Sequence, residues 1–219
     1  VSGWNCRCRW SIASSSRRSR DATCVFLEGL LRKGEETDAA SAALLRAGTC
    51  RGRTGQEAAV AFARFLDDGR GWVEDNIGAC LELAACRERL GNREEALADV
   101  FRSFVFNDPR AEACCAAGDI LLRSQSWTRA AYWYRLALSC RAPESRLAFY
   151  RPDFASFYPL LQLCVCYDRL GDRETAESYH RRARALKPED AAVQYNERYF
   201  ASLHETEQES PCKDRGEPV

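Results

Sequence analysis

A chain of 219 residues with 32 basic and 32 acidic side chains carries no formal net charge, which argues against a surface wholly given to nucleic acid or anionic lipid. Hydrophobic residues make up 46% of it, enough to bury a core. No run approaches the roughly 18 apolar residues of a membrane span and the first residues lack the apolar stretch of a signal peptide, so a cytoplasmic protein is expected.

Residues 1–55 read as an irregular or partly disordered leader. Its first twenty positions are rich in Arg, Ser and Cys and hold no acidic residue. A basic arm for an acidic partner, an unstructured leader and a truncated or misread gene start all fit this composition. Residues 25–31 and 39–45 have the makings of short helices.

Regular patterning begins near Gln56, where Ala58, Phe62 and Phe65 recur at helical spacing, like the second helix of a pair whose first is poorly recognisable. The next unit runs from Ile77 and carries Leu83, Ala84, Leu90, Gly91 and Ala96, with a second helix expected over 93–106 and Pro109 closing it. From Ala111 the pattern recurs: Gly118 follows Ala84 by 34 residues and Ala130 follows Ala96 by the same interval, before Tyr134, Ala137 and Pro143. A third unit starts near Phe157, with Cys164 and Ala176 each 46 residues after Gly118 and Ala130.

The 12 extra residues fall around 145–156, in a stretch crowded with Phe149, Tyr150, Phe154, Phe157 and Tyr158. Phe149, Tyr150 and Phe154 are candidates for a partner-docking edge; filling the gap that the insertion opens is the other reading. Residues 163–188 form the clearest hairpin, two amphipathic helices joined at Leu170-Gly171-Asp172 and stopped by Pro188. Asp190 can then cap a final helix to Leu203, in which Val193, Tyr199 and Phe200 cover the end of the stack, and residues 204–219 read as a polar, disordered tail.

Twelve cysteines raise the question of a disulfide framework or a metal site. No Cys-x-x-Cys or Cys-x-x-His occurs, and Cys80, Cys86, Cys114, Cys164 and Cys166 sit within apolar helical patterns, where a thiol acts as a small hydrophobe. Core packing is therefore preferred over metal or redox chemistry. No catalytic constellation emerges: His180 sits at a packing position, His204 near a helix end, and Gly52 and Gly55 make no phosphate loop.

The 34-residue period and the sets Leu83/Ala84/Gly91/Ala96, Gly118/Ala130/Tyr134/Ala137 and Leu163/Tyr167/Gly171/Ala176/Ala183/Pro188 resemble the tetratricopeptide repeat superfamily. The likeness covers roughly residues 56–203 and implies an all-α fold of antiparallel helical hairpins stacked in a right-handed superhelix. Arg87 departs from it, standing where a Tyr is expected, and Pro109 and Pro143 come one position late.

More narrowly, WVEDNIGACLELAACRERLG, FNDPRAEACCAAGDILLR and YPLLQLCVCYDRLGD are similar to the repeat segment that follows the catalytic domain in bacterial family 2 glycosyltransferases. That resemblance implies an accessory scaffold region and a glycosyltransferase domain as neighbour. The Asp-x-Asp metal signature of such a domain does not occur here, and no catalytic residue, cofactor or metal ligand is carried over. An autonomous adaptor unrelated to sugar transfer is the alternative.

In such stacks the first helix of each pair lines a concave groove, where a protein or peptide segment is expected to bind. The thirteenth position of each unit is Arg89, Arg123 and Arg169, a possible ladder for carboxylates or phosphates. The same arginines fit a second role, complementing the partial negative charge of helix C-termini. Glu82, Glu88, Asp119, Gln162 and Asp168 complete the candidate groove set and make it mixed in charge.

Overall fold

The computed structural model describes residues 55–69, 71–142 and 150–208. The basic arm, the short helices expected at 25–31 and 39–45, Phe149 and the tail from 209 onward lie outside the described residues. Among those described there are eight α-helices and no strand: α1 (Gly55–Asp68), α2 (Val73–Arg89), α3 (Arg93–Arg102), α4 (Ala111–Arg123), α5 (Trp127–Ser139), α6 (Phe157–Arg169), α7 (Arg173–Leu186) and α8 (Ala191–Gln208). Consecutive helices pack as antiparallel hairpins, α2 with α3, α4 with α5 and α6 with α7, flanked by α1 and α8.

Each helix buries the stripe that its sequence spacing marks. In α1 these are Ala58, Phe62, Phe65 and Leu66, packed on Ala79, Cys80, Leu83 and Cys86 of α2. Small residues sit where hairpin helices cross: Ala84, Ala96, Ala130 and Ala176 are at most 2% exposed. Gly118 shows why. A Cβ placed there would stand 2.7 Å from Cε1 of the fully buried Tyr134 ring, so only glycine lets α4 and α5 close at this point. Cys80, Cys86, Cys114, Cys115, Cys164 and Cys166 are buried free thiols, and burial pushes those of Cys80, Cys164 and Cys166 up to about 12.

The intra-hairpin turns share one backbone conformation. Gly91 and Gly171 have φ of 89° and 81°, and Gln125, at the equivalent place between α4 and α5, is also left-handed at 58°. Arg87, at the expected Tyr position, reaches α3 and donates from Nη1 to Asp99 Oδ1 at 3.1 Å. An ion pair thus replaces an aromatic contact in the first hairpin.

Several bounds differ from the sequence expectation. Helix α2 begins at Val73, four residues before Ile77, because its extra turn is held from outside: the buried Glu74 accepts both terminal nitrogens of Arg110, and Asn76 Nδ2 donates to Gly71 O at 2.8 Å. The helix expected over 93–106 ends its α-helical part at Arg102 and tightens into a 3-10 turn, where Ser103 Oγ donates back to Val100 O at 2.6 Å. Gly55, assigned to the leader, opens α1. At the other end α8 continues past Leu203 to Gln208, with His204 Nε2 placed 2.9 Å from Glu177 Oε1, so the first part of the expected tail is helical. Asp190 Oδ1 accepts Ala192 N at 2.9 Å before α8, and Val193 and Phe200 are buried against α6 and α7.

Candidate partner-binding surface

Register places four side chains of each first helix on one face. On α2 these are Gly78, Glu82, Ala85 and Arg89; on α4, Glu112, Ala116, Asp119 and Arg123; on α6, Tyr158, Gln162, Val165 and Arg169. The α2 and α6 stripes are partly or fully exposed along their length. The α4 stripe is different: Glu112 is 7% and Asp119 3% exposed, and Cys115 beside them is sealed.

The insertion covers it. Arg151 N donates to Glu112 Oε1 at 2.7 Å, the Cys115 thiol donates to Phe154 O at 3.4 Å, and Tyr158 OH donates to Asp119 Oδ1 at 2.7 Å. Tyr134 OH supplies a second donor to the same oxygen at 2.6 Å. Burial raises the Asp119 carboxyl above the usual range, while the two phenol hydrogen bonds and Arg123 pull it back. Phe154 packs 5.1 Å from the Tyr158 ring, with the Arg151 guanidinium 4.0 Å above it, and Lys187 Nζ holds Asp153 at 2.7 Å. Phe154 is thus turned into the hairpin interface and Tyr150 is half-buried.

The three arginines in register have three different surroundings. Arg89 Nε donates to Ala85 O at 3.0 Å, in the last turn of its own helix. Arg123 makes a bidentate pair with Glu88 of the preceding hairpin, its Nη2 at 2.6 Å from Oε2. Burial works against the Arg123 charge, but Glu88 and Asp119 outweigh it and keep the pKa raised. Arg169 lies 5.9 Å over the Trp127 ring. Asp168 accepts Tyr199 OH from α8 at 2.9 Å, and with Arg169, Gly171, Arg173 and Tyr199 it lines a shallow polar depression of about 300 Å³. Glu82 and Gln162 stand half-buried on α2 and α6.

The structure therefore brings Glu88, Arg123 and Asp119 into one line across α2 and α4, gathers Asp168 and Arg169 at the α8 end, and leaves Arg89 on its own helix. Glu112, Cys115 and Tyr158 were absent from the sequence-derived set. A polar residue recurring every seven positions on the otherwise apolar AEACCAAGDILLR was the available signal.

Solved structures with the same hairpin stack fix the architecture. YrrB, described as a TPR protein with an unusual peptide-binding site, superimposes with a TM-score of 0.57 at 17% identity over 84% of this chain and 86% of its own. The chain has the tetratricopeptide fold. TTC0263, a thermophilic TPR protein of Thermus thermophilus, gives 0.57 at 17% identity over 84% and 90%, and MamA residues 41 to the end from Desulfovibrio magneticus RS-1 give 0.57 at 14% over 80% and 99%. No protein-family model and no curated protein matches the sequence. At these identities the likeness is one of fold. No described helix is long and apolar enough to cross a membrane.

Proposed function

We propose that this tetratricopeptide stack is a protein-binding scaffold that holds an extended or helical partner segment against its first helices. The observation that carries this reading is the pair of half-exposed stripes on α2 and α6, each ending in an exposed arginine, in register with each other and set on a fold whose neighbour YrrB is described as having an unusual peptide-binding site. The covered α4 stripe divides the surface in two. One contact zone centres on Glu82 and Arg89 and the other on Gln162, Asp168 and Arg169. A segment bearing both charge signs suits these zones better than a purely acidic one.

Within that reading, the wording of the repeats supports an accessory region of a family 2 glycosyltransferase-like protein, acting by presentation and performing no chemistry itself. The alternative is an autonomous adaptor. Translating the genomic DNA upstream of Gln56 in all frames separates them: a nucleotide-sugar domain with Asp-x-Asp supports the accessory region, and unrelated sequence removes it.

Binding is tested by selecting peptides from a displayed random library on the full chain. Selected peptides are expected to lose affinity on Arg89→Ala and Arg169→Ala with thermal stability retained. Selection of nothing, or of peptides indifferent to both changes and to Glu82→Ala and Gln162→Ala, overturns the groove assignment.

A further inference from the structure

Hairpin geometry places the first turn of α4 beside the end of α5, and each carries a cysteine. Cys114 Sγ and Cys140 Sγ are 3.9 Å apart, and among the described residues no other pair of sulfurs is joined by a hydrogen bond. A disulfide needs about 2.05 Å between sulfurs, so the two must close by roughly 1.9 Å to pass from contact to covalent bond. The two positions differ in access. Cys114 is sealed in the core, whereas Cys140 is half-buried at the α5 C-cap, with its sulfur 3.3 Å from Pro109 O and 3.4 Å from Leu136 O.

That asymmetry separates the roles an oxidised pair requires: an outer sulfur that meets the oxidant and an inner one that resolves it. The hydrogen bond shared with Cys114 lowers the Cys140 thiol from its ordinary value, whereas Cys115, on the adjacent position of α4, is held well above it by burial. Cys115 is also turned away, toward Phe154 O. Cys140 stands five positions before the insertion at 145–156, and Cys114 lies between Glu112 and Cys115, the two α4 side chains that hold it.

We propose that Cys114 and Cys140 are a redox modification site, closing to a reversible disulfide when the chain meets a peroxide. The Cys140 thiolate attacks one peroxide oxygen, the O–O bond breaks, and the sulfur becomes a sulfenic acid as hydroxide leaves. The Cys114 thiol, deprotonated by that hydroxide, attacks the Cys140 sulfur. The S–O bond breaks, the S–S bond forms, and the departing hydroxide takes up the proton that Cys140 released on ionising and leaves as water. Two thiols lose two electrons in all and one hydrogen peroxide becomes two waters. A dithiol reductant reverses the step. The product staples the open end of the α4–α5 hairpin at the root of the insertion.

The test uses the full reduced chain, limiting hydrogen peroxide, rapid alkylation and non-reducing tryptic mapping. The peptide 111–123 is expected linked to 136–141, lighter by two hydrogens than the separate peptides and released by dithiothreitol. Because 111–123 also holds Cys115, the Cys115→Ser chain must give the same link. Cys140→Ser, at a half-buried site that leaves the core intact, must abolish it, and Cys114→Ala must leave Cys140 as a dimedone-trappable sulfenic acid. The link is also expected to raise the melting temperature of the wild type and of Cys115→Ser, but not of Cys140→Ser or Cys114→Ala. Recovery of Cys114 and Cys140 both alkylated after peroxide, a link that vanishes with Cys115→Ser, or linkage of Cys140 to another peptide overturns the proposal.

Discussion

Replacing Asp119 by alanine takes the shared acceptor from two buried phenols. Tyr134 and Tyr158 both donate to Oδ1, from the second helix of the same hairpin and the first helix of the next. A hydrogen bond to a charged group contributes about 1.5–3 kcal/mol, and a buried hydroxyl left without a partner costs about 1–3 kcal/mol. Part of that loss is offset because a carboxylate no longer has to be held away from water. The net destabilisation expected is about 2–4 kcal/mol, or a fall of roughly 5–15 °C in melting temperature for a chain of this size.

Thermal unfolding followed by far-ultraviolet circular dichroism measures this change, and a double-mutant cycle locates it. Tyr158→Phe is expected to cost about 1–2 kcal/mol in the wild type and close to nothing once Asp119 is alanine. Asp119→Asn keeps an acceptor oxygen and should lose less than half as much as the alanine variant. An Asp119→Ala chain that melts within about 2 °C of wild type, or a Tyr158→Phe change of equal cost in both backgrounds, would refute the clamp. The carboxyl pKa is raised in the fold, so its favourable contribution is complete below about 4 and is lost as pH rises through the folded value. The stability advantage of wild type over Asp119→Asn should accordingly shrink as pH rises from about 4, read from urea midpoints.

Gly118→Ala brings a methyl group against the Tyr134 ring, which its own hydrogen bond holds in place, and should destabilise by about 1–3 kcal/mol in urea unfolding. Gln125→Gly relieves a left-handed side-chain-bearing residue at an exposed turn and should stabilise by about 0.5–1 kcal/mol by the same measurement. His180 is buried beside Phe200, its Nδ1 has no hydrogen-bond partner, and burial lowers its pKa. Its contribution is therefore present above about 6.5 and lost as pH falls through the lowered folded value, so His180→Phe should flatten the acid-side decline in melting temperature.

The helices were legible because their code is steric and local. Ala84, Gly118 and Cys164 had to be small where two backbones cross, and that requirement shows as a period in the sequence. The seat of Gly118 against Tyr134 is the same requirement seen from the partner's side. What escaped depended on residues far along the chain. The early start of α2 rests on Arg110, 36 positions after Glu74, and no helix-capping signal at Val73 announces it. Asp119 read as a groove residue because its spacing places it on the exposed stripe. It is buried because Tyr158 and the insertion fold back over α4, which no local pattern encodes. Gln125 hid a glycine-like turn behind an ordinary side chain. Cys114 and Cys140 are 26 positions apart and no sequence spacing marks them as a pair.

The insertion gives the stack two junctions of unlike chemistry. Between the first and second hairpins, Ala84, Ala113 and Ala117 pack with Val100 and Ile120, Trp133 lies against Phe101 and Phe104, and the ion pairs Glu74–Arg110 and Glu88–Arg123 bridge the two hairpins. Between the second and third, Leu163, Cys166, Tyr134 and Tyr158 close an apolar and phenolic interface that residues 151–155 wrap. A one-dimensional array with identical joints has no preferred place to come apart. This one has a seam whose position answers to the solvent: salt weakens the Glu88–Arg123 side, the more exposed of the two pairs, and leaves the tyrosine side intact. Added salt is therefore expected to loosen α1 to α3 before the last two hairpins, which their own insert ties together.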